Sequence, residues 1–294
     1  MNLVHTPVMA QEILEQISLS EGDVVIDATL DGGGHAELFC QHVGDSGAVI
    51  GIEQDAGMVK FITTRKKTEG GVWKRLVVAE GNFKEIGSLW SANAEKAPQA
   101  IVFDLGISRW HYKESKKGFS FLEPTEPLLM TMNMDAPSVA AILNSFSEAD
   151  IADILWRYGE LRNSRSIAKD IIKYRATKKF IIVEDLLHAI GAMSRGNRHT
   201  HQATRIFQAL RIAANDELAV LEKGLREAWR ILAVGGTIAV LTYHSLEDRI
   251  VKNLFKEFAV LPGAILTKKV IKPQYDEIRK NPSARSAKLR IIKK

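Results

Sequence analysis

The chain has 294 residues, 46% of them hydrophobic, and a single cysteine, Cys40. That length buries one large core, or one core with a smaller satellite domain. A lone thiol excludes an intramolecular disulfide framework and any cysteine-based zinc cluster, and its simplest use is helix packing. No apolar run is long enough to cross a bilayer, and residues 1–16 carry Glu12 and Glu15 without a basic leader segment, so the expected location is cytoplasmic.

The net charge of +5 is unevenly placed. Residues 267–294 hold ten Lys/Arg against Asp276 and Glu277, a local balance of +8 that leaves about −3 for the rest. A basic tail on a faintly acidic body suits a phosphate-contacting surface, although solvated lysine-rich segments that bind nothing share this composition.

In chain order, His5-Thr-Pro7 precedes a segment, 8–17, with helical apolar spacing, and Gly22 punctuates it before a first strand at 24–26. A helix over 36–43, a strand over 48–52, a helix over 57–67 and a strand over 76–78 follow. A fourth apolar run, 100–103, ends in Asp104-Leu-Gly106. This alternation predicts a parallel sheet covered on both faces.

The rhythm breaks after Ser108. A loop rich in Lys, Gly and Pro over 113–127 leads to a methionine-bearing segment, 128–134, and then to several helices between 139 and 190, with amphipathic spacing over 150–158 and 165–174. Alternation resumes with a long helix over 202–232, Gly235-Gly236, a strand over 237–242 and a helix over 246–258. Residues 264–267 and 289–292 read as a closing strand pair. The helical middle is therefore an insertion into an α/β domain, with edges near Trp110 and His201.

The most informative stretch is Asp27-Ala-Thr-Leu-Asp-Gly-Gly-Gly-His35, which ends one strand and opens a helix, followed by a second strand that stops at Glu53-Gln-Asp55. The glycines let the backbone turn sharply beside a ligand, and a carboxylate after the next strand can accept from ribose hydroxyls. Consecutive glycines followed by His35 lack the G-x-G-x-x-G spacing that aims a helix at pyrophosphate, which favours S-adenosylmethionine over a dinucleotide. The bland alternative is a tight strand-to-helix connection with no ligand.

Longer blocks carry a family resemblance. His5-Thr-Pro-Val8, the glycine turn, Gly81-Asn-Phe83 and Asp104-Leu-Gly106 occur in order with Gly118-Phe-Ser-Phe121, Thr204-Arg-Ile-Phe-Gln-Ala-Leu-Arg211, Asn215-Asp-Glu217, His244-Ser-Leu-Glu-Asp-Arg249, and Asn281-Pro with Arg285-Ser-Ala-Lys-Leu-Arg290. Together they resemble the bacterial MraW/RsmH methyltransferases over nearly the whole chain. The resemblance implies N4-methylation of a cytidine in the decoding region of 16S ribosomal RNA in the small ribosomal subunit, with S-adenosylmethionine as cofactor. It also implies a class I methyltransferase fold: a Rossmann-like α/β domain (1–110 and 202–294) with a mostly parallel seven-stranded sheet, interrupted by an all-helical substrate-recognition domain (111–201).

Carried over by position, the family's cofactor contacts fall on Gly33, Gly34 and His35 at the methionine end, Glu53 at the ribose, Phe83 beside the adenine, and Asp104. The family's glutamine seven positions after that aspartate is replaced by His111, which still hydrogen-bonds. Other departures are Ser108-Arg109-Trp110 where the family reads Ser-Ser, and Leu129 and Thr131 where it carries Asp and Arg. Losing both halves of an ion pair together is easier to tolerate than losing one. If those groups touch the target nucleotide instead, activity or target has changed.

Methyl transfer to an exocyclic amine depends on positioning, with an acceptor on the amine and no strong base. Asp104 is the candidate acceptor, and its competing role is cofactor binding alone. Trp110, Tyr112 and Phe119 can offer aromatic faces to a splayed base, with Trp110 the better candidate and Phe119 better suited to the core. His244 and Arg249 lie on the rim after the fifth strand, where Ser245 can cap the next helix. Arg205 and Arg211 read either as buried ion-pair partners or as RNA contacts, and Arg285 and Lys288 as RNA contacts of the basic tail. No metal site is indicated. Apolar positions on the inserted helices suit a homodimer contact. The substitutions around 109–111, 129 and 131 keep two alternatives open: a catalytically weakened relative acting in small-subunit assembly, and an N-methyltransferase with another nucleic-acid target.

Overall fold

In the computed structural model the apolar runs align as one seven-stranded sheet, in the order β3-β2-β1-β4-β5-β7-β6. The strands are β1 Val24–Asp27, β2 Ala48–Glu53, β3 Leu76–Glu80, β4 Ala100–Asp104, β5 Thr237–Thr242, β6 Ala264–Ile265 and β7 Lys288–Lys293. The structure describes residues 7–132, 136–191, 197–260, 264–265 and 267–294. His5 and Thr6 of the first motif, Asn133 and Met134 of the methionine-bearing segment, and Leu266 of the expected strand 264–267 lie outside the described residues.

Two compact units divide the chain: Met1–Ser108 with Leu218–Lys294, and Arg109–Glu217. The first contains the sheet. Its central strands are buried along their whole length, β1, β4 and β5 without exception, which is the pattern of a sheet covered on both faces. Pairing is parallel from β3 through β5, with Ile26 beside Ile50 on one side and Ile101 on the other. β7 runs antiparallel to both β5 and β6. Because β1 lies between β2 and β4, strand order reverses there, and the carboxyl ends of these strands border a crevice of the kind that binds ligands in open α/β sheets.

The helices before the insertion are α1 Ala10–Ile17, α2 Gly34–His42, α3 Ala56–Glu69 and α4 Ile86–Ser91. Asp55 caps α3 by accepting from the N–H groups of Gly57 and Met58. The second unit contributes α5 Arg109–Lys113, α6 Val139–Ser145, α7 Glu148–Arg157, α8 Ser164–Arg175, α9 Val183–Ala189 and α10 Asn197–Asn215. α11 Glu217–Ile231, α12 Ser245–Phe258 and α13 Tyr275–Lys280 complete the chain. One face of the sheet packs a core of Ile26, Ile50, Ile101, Phe103, Val240, Leu225, Trp229 and Phe258, in which Trp229 stacks on Phe258 with centroids 5.0 Å apart.

The expected single helix over 202–232 is two helices. Asp216 sits at φ 50, in the left-handed region, and separates α10 from α11. The second edge between the units falls there, after Glu217, and not near His201, because α10 packs on α6 and α7 within the inserted unit. The first edge follows Ser108.

Within the inserted unit, Ser147 and Asp150 form a capping box on α7, and Ser138 caps α6. Asp185, 1% exposed, accepts from the backbone N–H groups of Ile181 and Ile182 and from the Tyr174 hydroxyl, and pairs with Lys178 at 2.6 Å. Burial alone raises this carboxyl, but the Ile182 N–H, the Lys178 ammonium and the other donors outweigh it and hold it at about 2. Asp185→Ala strands two backbone donors and a lysine, an expected cost of about 2–4 kcal/mol in denaturant unfolding; an unchanged midpoint contradicts this reading.

Candidate active site

The glycine turn is held from beneath. Asp31 (φ 43) and Gly33 (φ 77) both take left-handed backbone, and the Gly33 N–H donates to the Leu30 carbonyl. A Cβ on Gly33 would lie 2.9 Å from Trp73 Cη2, so the indole fills the space that any other residue would need. The Arg65 guanidinium sits 4.3 Å from the Trp73 ring centroid, donates to the Gly32 carbonyl at 3.1 Å, and pairs with Glu37 and Glu69.

Four carboxylates gather around this turn at the carboxyl ends of β1, β2 and β4. Glu53, 6% exposed, accepts from the Asp31 N–H through Oε2 (3.1 Å) and from the Asp55 N–H through Oε1 (2.8 Å). Burial nevertheless pushes it up to about 7. Asp27 accepts from the Thr29 N–H through Oδ1, while its Oδ2 is buried with no hydrogen-bond partner among the described residues. Burial holds both Asp27 and Asp31 well above the usual carboxylate range, and each is pushed further by Glu53 and Asp104. Thr29 links β1 to β4, its Oγ1 accepting from the Asp104 N–H at 2.7 Å.

Asp104 is 7% exposed. Its Oδ1 accepts from the Tyr243 hydroxyl at 2.6 Å, and its Oδ2 lies 3.7 Å from His35 Nδ1. Burial pushes His35 down to about 4, so the ring is neutral near pH 7. Its Nε2 lies 3.0 Å from the Val8 carbonyl, which only accepts, so the proton resides on Nε2 and Nδ1 is an acceptor. His35 and Asp104 are therefore two acceptors facing each other, not an ion pair, and the arrangement suits a donor between them.

Phe83 meets Phe103 edge-on at 5.5 Å, and a Cβ on Gly224 would lie 2.6 Å from the Phe83 ring. The neighbouring Asn82 donates to Gln54 at 2.7 Å, fixing the chain after β3. Gly33, Gly34, His35, Glu53, Phe83 and Asp104, the cofactor candidates that the sequence marks in this unit, all lie in the sheet-bearing part of the chain. Tyr243, Arg65 and Trp73 carry no such mark in the sequence. Tyr243 directly precedes a quoted block, but nothing in its spacing reveals the contact with Asp104.

The remaining candidates divide. His244, not Ser245, caps α12: its Nδ1 accepts from the Glu247 N–H, and Glu247 Oε2 in turn accepts from the N–H groups of Tyr243 and His244. Lys288 (3.4 Å) and Arg290 (2.7 Å) both pair with Asp248. Arg249 and Arg285 are exposed. In the inserted unit, Arg211 forms a bidentate pair with Glu217 at 2.8 and 2.9 Å and is 9% exposed, which removes it from the RNA-contact candidates. Arg205 donates to the Glu160 carbonyl. Trp110 is half-buried and edge-on to His111, which is buried and edge-on to Phe119; Phe119 is itself core, whereas Tyr112 is exposed. Leu129 is half-buried and Thr131 buried.

A doubly wound parallel sheet with an acidic crevice at its switch point, bordered by a glycine turn, defines an α/β enzyme that binds a nucleoside. The MraW methylase family matches residues 2–294. Ribosomal RNA small subunit methyltransferase H of Dictyoglomus thermophilum is 42% identical over 291 residues, spanning 98% of this chain and 96% of its own. The proteins of that name from Coprothermobacter proteolyticus (39%, 99% and 96%) and Neorickettsia sennetsu (38%, 99% and 96%) are similar throughout. The chain belongs to the MraW methylase family and is an S-adenosylmethionine-dependent methyltransferase of the class I fold.

The crevice fits that cofactor. An orphaned carboxylate oxygen, three more acids and two facing acceptors match a ligand that brings an ammonium, a sulfonium and ribose hydroxyls. Gly33→Ala introduces both strain and a clash with Trp73, and is expected to weaken adenosylmethionine binding at least about tenfold by calorimetry. Because Glu53 is raised by burial, its contribution to stability is fully present below its ordinary range and is lost as pH rises through about 7. The ligand-free protein should therefore lose melting temperature between about pH 5 and pH 8, and Glu53→Gln should lose less. Parallel melts with equal slopes would refute this.

Proposed function

We propose that this enzyme methylates the exocyclic N4 of a cytidine in the decoding region of 16S ribosomal RNA, with the small ribosomal subunit as substrate. Relatives at 38–42% identity that carry the name of a small-subunit ribosomal RNA methyltransferase support this reading. The observation that carries the chemistry is Asp104, a buried carboxylate held on one oxygen by Tyr243 and facing His35 with the other. Bound S-adenosylmethionine supplies an electrophilic methyl group.

When the cofactor is bound, Glu53 would accept from its ribose hydroxyls, Phe83 would face the adenine, and Gly33, Gly34 and His35 would hold the methionine end. His111 stands where the family has glutamine. Asp104 accepts from the target amine and so turns the nitrogen lone pair toward the methyl carbon; a second role, in binding the cofactor ammonium, uses the same oxygen. On methylation Asp104 would take up the proton that the amine gives up and pass it to solvent.

The inserted unit recognises the RNA, with Trp110 stacking on the displaced base, while Arg205, Arg249, Arg285 and Lys288 contact phosphates. No described helix is long and apolar enough to cross a membrane, and the enzyme acts in the cytoplasm, where its substrate is assembled. The exposed Trp156 and Phe146 of the inserted helices form a homodimer contact. Leu129 and Thr131, in place of the family's acid and arginine, favour as a second reading a weakened enzyme that serves small-subunit assembly.

Methyl-labelled cofactor, purified protein and small subunits from a strain lacking the modification separate the two readings. Label at one cytidine of 16S ribosomal RNA is expected. Binding to the subunit without transfer supports the second reading, and label at a different nucleotide overturns the target assignment.

A further inference from the structure

One peptide group in the sheet-bearing unit is gripped from both sides. The Met9 N–H donates to Glu277 Oε1 of α13 at 2.6 Å, and the carbonyl of the same peptide, on Val8, lies 3.0 Å from His35 Nε2 and takes its proton. A planar trans peptide points its N–H and its carbonyl in opposite directions, so neither group can turn without the other. Val8 and Met9 are both buried, which keeps competing water away. Met9 also carries left-handed backbone, φ 52 and ψ 36, which a methionine keeps only where its surroundings hold it. Glu277 holds it on one side, and α1, which Met9 opens and which packs on β5, holds it on the other.

Burial raises Glu277 from its ordinary value and Glu12 adds to this, while the Met9 N–H opposes it, the sign of a bond made to the ionised carboxylate. Hydrogen bonds in series strengthen one another. A carboxylate that accepts from the N–H pushes electron density onto the Val8 oxygen, which then grips the Nε2 proton more firmly than an ordinary carbonyl does. The His35 ring is neutral near pH 7, so a proton fixed on Nε2 leaves a lone pair on Nδ1.

We propose that Glu277 is a positioning residue for cofactor binding: through the Val8–Met9 peptide it fixes the ring and the tautomer of His35, so that Nδ1 is offered as an acceptor to the amino group at the methionine end. This rests on the reading that His35 holds that end. It assigns Glu277 no contact with cofactor or substrate, because its effect passes through the peptide and the imidazole.

Two ligands test this by calorimetry: S-adenosylhomocysteine carries the amino acid, and 5′-methylthioadenosine lacks it. In Glu277→Ala the Kd of the first should rise about fivefold or more, while that of the second stays within about twofold of wild type. Glu277→Gln keeps an acceptor for the Met9 N–H and should recover most of the loss. Nitrogen NMR of the His35 ring in the ligand-free protein should show one Nε2–H tautomer in the wild type and a mixture in Glu277→Ala. Should that variant fail to fold, Glu277→Asp, one methylene short of the Met9 N–H, is expected to show the same split. An unchanged affinity for S-adenosylhomocysteine overturns the inference, as does an unchanged tautomer. Equal weakening of both ligands also overturns it, because that reports a general loosening of the fold. His35→Ala, measured with the same two ligands, separates the two levels. If it binds both as wild type does, the reading of His35 itself fails; if it loses S-adenosylhomocysteine alone while Glu277→Ala does not, only the role of Glu277 fails.

Discussion

Negative charge taken out of water at the tips of three adjacent strands is the constraint around which the sheet-bearing unit is arranged. Asp27, Glu53 and Asp104 are each less than a tenth exposed, and Asp31 turns toward them from the glycine turn. Such a cluster is costly unless donors surround it. The fold supplies several: backbone N–H groups of Thr29, Asp31 and Asp55, and the Tyr243 hydroxyl. The supply is incomplete, because Asp27 Oδ2 lacks a partner among the described residues and three of the four carboxyls titrate far above their ordinary range. A cationic nucleoside completes what the protein leaves unfinished, so affinity and instability have one origin.

The same economy explains the support beneath the turn. Left-handed backbone at Asp31 and Gly33 is strained or restricted, and it persists because Trp73 and Arg65 fill the space below and tie the Gly32 carbonyl in place. Through their contacts with Gly32 and Gly33 these two residues set the position of the backbone that borders the crevice.

Much of this was legible in the chain. Strands buried on both faces are continuous apolar runs, so β1, β2, β4 and β5 stand out by composition, and Glu53 and Asp104 are marked as the polar residues that end such runs. Contacts between elements far apart in sequence were not legible. Tyr243 reaches Asp104 across 139 positions, and Arg65 reaches Gly32 across 33, with no periodicity to announce either. The break at Asp216 was hidden for a different reason: apolar spacing runs on through it, and only the backbone angle of a single residue divides the two helices. Arg211 was ambiguous until Glu217, just past that break, proved to be its partner.

Strands β4 and β5 are neighbours in the sheet although the entire inserted unit separates them along the chain. Joining two ends of a polymer costs entropy that grows only with the logarithm of the segment between them. Once the connection is longer than a simple crossover, further length adds little to that penalty. A folded excursion of this size is therefore thermodynamically cheap for the sheet, and the inserted unit can be rebuilt by sequence change without loosening the strands that flank it.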